Sequence, residues 1–306
     1  LVSKLRLEDV IMLEILILSI LGFAGTAIGG LVTSDDEGNA AVDEEDAGSD
    51  AADDLSGDLL LETLETEIPI DPVVGEQVGV DVLIGSDQDD VLTDWTGSNE
   101  MYGGDGDDTL QGGFDVGELS ELHGDAGNDV ITDGASDAII FGGEGDDSIV
   151  SGHGVSDIYG GAGDDAISTG IDTDVIHGDA GNDTITAIGT DTEGEVDEVY
   201  GGEGDDTLQI RGATEAYGGE GADTFTGYFN TWVDEAPTVL DYNAAEDQLE
   251  VDIYAHEGVQ ELDDFDINVQ DFEDGSGASI YVDGIEVMRI PGAQGLDLAD
   301  VQLNLV

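Results

Sequence analysis

Eight aspartates occupy one fixed place in a recurring glycine-rich nonapeptide: Asp90, Asp108, Asp129, Asp147, Asp165, Asp183, Asp206 and Asp223. Each is the sixth residue of a unit that opens on a glycine, at Gly85, Gly103, Gly124, Gly142, Gly160, Gly178, Gly201 and Gly218. The stretch Tyr159 to Thr186 shows the pattern best, with GGAGDDAIS and GDAGNDTIT separated by the looser TGIDTDVIH. Repeated carboxylates in glycine-rich loops suit cation binding, because such loops can also aim backbone carbonyls at an ion. Carboxylate and carbonyl oxygens are the hard, many-membered donor set that fits Ca²⁺ better than Mg²⁺, which keeps its waters. Zinc is disfavoured, with no Cys and four scattered His.

The elements that position these aspartates follow from the steps between them, which are 18, 21, 18, 18, 18, 23 and 17 residues. The period is 18, not 9. In a short strand successive side chains alternate, so the large apolar residue at position 8 points inward. One loop and one strand make half a coil, and the second half returns the chain to the same edge. Stacked coils form two parallel sheets around a thin apolar layer that no single coil could bury. The inward set is Leu92, Leu110, Ile131, Ile149, Ile167, Ile185, Leu208 and Phe225 on one sheet. On the other it is Met101, Leu122, Ile140, Ile158, Ile176, Val199 and Ala216. The long steps place insertions (Phe114 to Ser120, Gly189 to Glu195) in the loops of the second edge.

Stacking brings the eight carboxylates into one file along the first edge. At a strand spacing of roughly 4.8 Å, neighbouring unit charges repel by roughly 3–4 kcal/mol at an effective dielectric near 20. A divalent ion between coils turns that repulsion into attraction. The second edge (TDGASDAII, SGHGVSDIY, TGIDTDVIH) lacks the motif, so the sequence predicts a one-sided calcium ladder, with Asp174 at position 6 in one of those loops. Position 9 is aromatic or His throughout (Tyr102, His123, Phe141, Tyr159, His177, Tyr200, Tyr217). These residues predict an outward ring ladder that either shields the sheet or offers a surface to a glycan or protein.

Over Val80 to Thr226 the chain resembles the RTX, or hemolysin-type, calcium-binding repeat proteins. The resemblance implies a parallel β-roll with Ca²⁺ between coils, and a chain that is disordered without calcium and folds at the calcium levels found outside cells. Coupled folding and binding agrees with the charge argument. The repeats depart from the pattern at Ser86 and Gln88, which replace two glycines next to Asp90. Asp125 and Asp179 stand at position 2, and Ala222 at position 5. VLDYNAAEDQLEVDI and the terminal LNLV are similar to segments that follow the repeats in type I secreted proteins.

Composition sets the remaining limits. The chain has 306 residues, with 75 acidic and only four Lys and Arg, for a formal charge of −71. Self-repulsion of that size opposes compaction and excludes nucleic acid and anionic lipid as partners, leaving multivalent cations. Cysteine is absent, so there are no disulfides or thiolate sites. Residues 1–32 include an uncharged run of 18 residues, Ile15 to Val32, after Lys4 and Arg6. It is expected to be a hydrophobic helix serving as a short membrane anchor with its N-terminus in the cytoplasm, a cleaved signal peptide, or a core helix. A start at Met12 would remove both basic residues. Residues 33–72 are expected to be a disordered acidic linker, with 14 acidic residues between Asp35 and Glu67.

Residues 73–227 are the expected roll. Residues 228–306 show the two-residue alternation of half-buried strands, with a hairpin turn at Asp283-Gly284, and are expected to be a small antiparallel β cap. The whole is thus read as all-β. No enzyme is legible. His256-Glu257 starts HEGVQ, where a zinc protease needs a second His at Gln260. Gly134-Ala135-Ser136-Asp137-Ala138 ends in Ala instead of the Gly of a nucleophile elbow. The carboxylates belong to loops or linker, not to a glycosidase pair. The expectation is a non-enzymatic, calcium-folded extracellular or cell-surface module, with an adhesin as the alternative.

Overall fold

In the computed structural model, residues 73–77, 80–114, 119–188, 196–229, 235–254 and 261–306 are described. The hydrophobic run 15–32, the acidic segment 33–72 and the His256-Glu257 pair lie outside them. Among the described residues no helix is long and apolar enough to cross a membrane. Secondary structure there is strand, apart from the 3₁₀ turns Leu262–Asp264 and Leu298–Asp300.

The chain coils through two sheets, one of 13 strands and one of 10. Strands that follow a calcium-type loop (Val91–Thr93, Thr109–Gln111, Val130–Asp133 and their successors) pair in parallel with one another in the smaller sheet. Strands that lead into such loops (Ser98–Asp105, Leu119–Ala126, Asp137–Glu144) pair likewise in the larger. Corresponding inward residues are directly paired. Ile158 meets both Ile140 and Ile176, and Ile167 meets both Ile149 and Ile185.

Every inward residue named above is at most 2% exposed, and the two sets merge into one core. β-Branched and large apolar side chains suit such a pleated, two-sided layer. The insertions do not slip the register. Met101 pairs with Leu122, and Ile176 with Val199, across the 21- and 23-residue coils. A one-residue slip would turn each strand inside out, which fixes the pairing.

The C-terminal part differs from the expected antiparallel cap. Gln248–Ile253 pairs in parallel with Thr224–Phe229, and Val301–Leu305 continues that parallel sheet. Thr238–Val239 likewise extends the larger sheet in parallel. Coiling therefore runs past residue 227. The antiparallel part is a meander of Ile267–Asp271, Gly277–Val282 and Ile285–Pro291 that closes one end of the larger sheet. Alternating apolar and polar residues mark a half-buried strand but carry no information on its direction, so the sequence pattern could not separate the two cases. At the other end Val73–Gln77 folds back antiparallel on Val80–Ile84.

Candidate metal centre

The first edge is built from position 6 upward. The backbone N–H of each aspartate donates to Oδ1 of its counterpart one coil on: Asp108 to Asp129 at 2.7 Å, Asp129 to Asp147, Asp147 to Asp165 and Asp165 to Asp183 at 2.8 Å each. The file continues from Asp183 to Asp206 at 2.8 Å and from Asp206 to Asp223 at 3.0 Å. It starts at Asp90, whose N–H donates to Asp108 at 2.7 Å. All eight predicted aspartates are thus brought together, and from Asp108 to Asp223 each is at most 2% exposed.

One oxygen of each carboxylate from Asp108 to Asp223 is thereby used. The other is not: among the described residues, Oδ2 of Asp108, Asp129, Asp147, Asp165, Asp183 and Asp206 is buried without a hydrogen-bond partner. Buried polar atoms are almost always paired, because an unpaired one forfeits its hydration. Burial, reinforced by neighbouring carboxylates and opposed by the donated N–H, pushes Asp165 and Asp206 up to about 7 and Asp108 and Asp147 to about 6. Burial also raises Asp129, Asp183 and Asp223.

The ends of the file are different. Asp90 is only half-buried, and its Oδ2 accepts from Ser86 N at 2.6 Å and Ser86 Oγ at 2.8 Å. At the far end Asp223 N–H donates to Asp247 Oδ1 at 3.1 Å, and Asp247 Oδ2 accepts from Asn243 N at 2.7 Å. Protein donors thus serve Oδ2 of the outermost carboxylates, while Oδ2 of the six interior ones has none. Asp241 closes the last loop, accepting from Gly218 N at 2.9 Å and Gly219 N at 3.1 Å.

The position-1 glycines are required by space. A Cβ on Gly103, Gly142, Gly160, Gly178 or Gly201 would strike Oδ2 of its own repeat's aspartate and the carbonyl oxygen of the next coil's position-1 glycine. The Gly218 Cβ would strike Asp223. A carboxylate oxygen and a carbonyl oxygen from two successive coils therefore face the same small volume. Position 2 has a different constraint. Gly161 has φ 114°, and Asp125 and Asp179, which replace that glycine, both take φ 73°. Asp tolerates this left-handed conformation better than most side chains.

Sequence reasoning missed a second file. At position 5, Asp107, Asn128, Asp146, Asp164, Asn182 and Asp205 each accept the N–H of the next coil's residue through a side-chain oxygen, at 2.8–2.9 Å. Its polarity is opposite to that of the position-6 file, and it ends at Ala222, which has no oxygen to extend it. Asp197 and Asp247 were also missed. The order Asp-x-apolar in Asp197-Glu198-Val199 and Asp247-Gln248-Leu249 is the signal that could have found them.

Among the described residues no three His, Cys, Asp or Glu side chains converge as a metal cluster. The donor set is one carboxylate per coil, supplemented by loop carbonyls. Oxygen-only donors, with buried carboxylate oxygens that nothing else satisfies, fit a hard divalent cation. Stacked parallel coils with such a file along one edge define a cation-binding β-roll.

A four-copy model of the RTX calcium-binding nonapeptide repeat matches residues 78–114, 123–155, 154–185, 193–209 and 212–229. Residues 78–229 thus carry RTX calcium-binding repeats, which imply a Ca²⁺-binding β-roll module over this part of the chain. No curated protein matches the chain.

Proposed function

We propose that the chain is a non-enzymatic, extracytoplasmic module whose roll, at neutral pH, assembles only when calcium is bound. The observation that carries this reading is the file of six interior Oδ2 atoms, buried and unpartnered, in a chain of formal charge −71. Asp108, Asp129, Asp147, Asp165, Asp183 and Asp206 would hold the ions, with carbonyls of the position-1 glycines beside them. Bound Ca²⁺ supplies compensating charge and ligation that the protein's own donors do not. RTX repeat proteins are typically secreted bacterial proteins, and the cysteine-free composition is compatible with either redox compartment. The sequence contains neither a G-x-S-x-G elbow nor an HExxH pattern on which to rest a catalytic role.

Circular dichroism of the full chain, in chelator and then in millimolar Ca²⁺, tests this. The expected result is a disordered spectrum that converts to β on adding calcium. A folded apoprotein whose spectrum calcium leaves unchanged would refute it.

A second reading, an adhesin or interaction role, is favoured by the ring file. Tyr102, His123, Phe141, Tyr159, His177, Tyr200 and Tyr217 stack continuously with centroids 4.7–5.1 Å apart. Glycan or cell-surface pull-down with Tyr159→Ala and Tyr200→Ala discriminates: loss of binding with the fold retained supports it, and unchanged binding removes the ladder as the contact surface.

A further inference from the structure

One side of the roll carries no charge. In the seven smaller-sheet strands from Val91–Thr93 to Thr207–Arg211, the first and third residues point outward. These fourteen residues are Thr, Val, Ser, Gln and Ala, each exposed or half-buried, and none is charged. The larger sheet differs. Its outward column beside the rings is acidic at five of seven places, Glu100, Glu121, Asp157, Glu198 and Glu215. Strand preference for small and β-branched residues would act on both sheets alike, so it does not account for the contrast.

The adjoining second edge adds exposed apolar surface. Trp95, Phe114, Val155 and Ile171 stand in the turns of four coils there, each more than half exposed. The carboxylates beside them are engaged with the chain itself. Asp94 accepts from Thr96 N, Asp137 from Val155 N and Asp172 from Gly154 N, at 3.1 Å each.

Arg211 supplies an independent sign. It takes the next outward place after Gln209, at the margin between face and edge, and is half-buried. It is one of four basic side chains set against 75 acidic ones. Yet among the described residues it makes no ion pair; the pairs there are His123–Glu121 and Arg289–Glu286. A cation left unpaired in so acidic a chain points to carboxylates from outside it.

A second copy supplies them. A two-fold axis parallel to the roll lays the smaller sheets face to face and sets the second edge of each copy over the first edge of the other. Arg211 then approaches the other copy's exposed position-5 file at the level of Asp205, which lies in the same coil. Sheets pack face to face at about 10 Å, and a two-fold contact is self-complementary. The acidic larger sheets point away, beyond the roughly 8 Å over which exposed charges act at physiological ionic strength. Fourteen face residues and four edge residues make eighteen a side, close to the roughly 20 of a standard interface.

We propose that two copies of the chain associate as a two-fold dimer through their smaller sheets, uncharged faces together and ring-bearing sheets outermost. The proposal rests on the calcium-dependent reading for the assembly of each roll. Sedimentation velocity of the full chain in millimolar Ca²⁺ tests it, with circular dichroism reporting the fold. The wild type is compared with Thr132→Lys/Ser168→Lys, in the middle of the face, and with Ile139→Lys/Val175→Lys on the larger sheet. Lys makes the chain less negative, so a loss of association cannot come from added overall repulsion.

The expected result is a wild type of twice the monomer mass at tens of micromolar. The smaller-sheet variant should be folded and monomeric, the larger-sheet variant dimeric, and Arg211→Glu several-fold weaker in dimerisation. A folded wild type that stays monomeric at hundreds of micromolar overturns the proposal. So does a dimer that survives Thr132→Lys/Ser168→Lys, which would place the contact elsewhere, such as the hydrophobic run 15–32. If that variant does not fold, Arg211→Glu decides, and an unchanged dimer overturns the proposal. Failure of the calcium-dependent reading looks different, because the wild-type spectrum would then not respond to calcium.

Discussion

At the residue scale, the aspartate at position 6 has two oxygens with separate duties. Oδ1 ties one coil to the previous one, and Oδ2 is left for an ion. Asp165→Asn separates these duties, since Asn retains the acceptor for Asp147 N–H but lacks the charge. The expected outcome is a chain that still folds in calcium, binds fewer ions, and needs several-fold more calcium at its folding midpoint, read by calorimetry and circular dichroism. Gly160→Ala tests space instead. A Cβ there meets Asp165 Oδ2 and the Gly178 carbonyl, and forced overpacking of this kind costs about 1–3 kcal/mol. Urea unfolding at saturating calcium should show a lower midpoint for Gly160→Ala, and an unchanged midpoint would mean that the loop yields freely.

The aspartate file itself was legible, because one residue type at one spacing leaves little else to read. The division of labour between its oxygens was not. Nor were Ser86 and Asn243 as donors to the end carboxylates, because both depend on loop geometry that spacing does not encode.

At the scale of the coil, the inward residues and the first-edge register were legible, because the 18-residue period and strand alternation jointly fix them. Strand direction beyond residue 227 was not. Leu249, Val251 and Ile253 alternate as they would in either pairing, and only the sheet shows them parallel to Phe225, Gly227 and Phe229. The stacked coils also set a pH response. An unfolded aspartate titrates near about 4, whereas burial in the roll raises Asp165 and Asp206 to about 7 and Asp108 and Asp147 to about 6.

The folded state thus holds these protons more tightly than the unfolded one. Their contribution to the metal-free roll is fully present below about pH 4 and is lost as pH rises through about 6 to 7. In chelator, β structure should therefore grow as pH is lowered from about 8 to about 4, followed by circular dichroism. If these carboxylates hold the calcium as proposed, protons compete for the same oxygens, so the calcium midpoint should rise as pH falls from about 8 to about 5. A midpoint independent of pH would detach calcium binding from these carboxylates.

At the scale of the whole molecule, a formal charge of −71 opposes the stacking of coils, and on the proposed function the repeats would offset it one coil at a time. Removing residues 142–159 joins Phe141 to Gly160 and leaves every later residue on its own edge. That deletion should fold in calcium with fewer bound ions. Removing only residues 151–159 instead sends the Gly160 loop to the second edge and should abolish the cooperative calcium transition. Ion counting and circular dichroism on the two deletions check this pair of outcomes.

The self-served ends, Asp90 with Ser86 and Asp247 with Asn243, have a consequence for heredity. Start and stop are written only at the termini of the array, and each interior unit states only how to add one more. Unequal recombination inside the array can therefore lengthen or shorten the molecule in whole units, changing its ionic capacity while both ends stay finished.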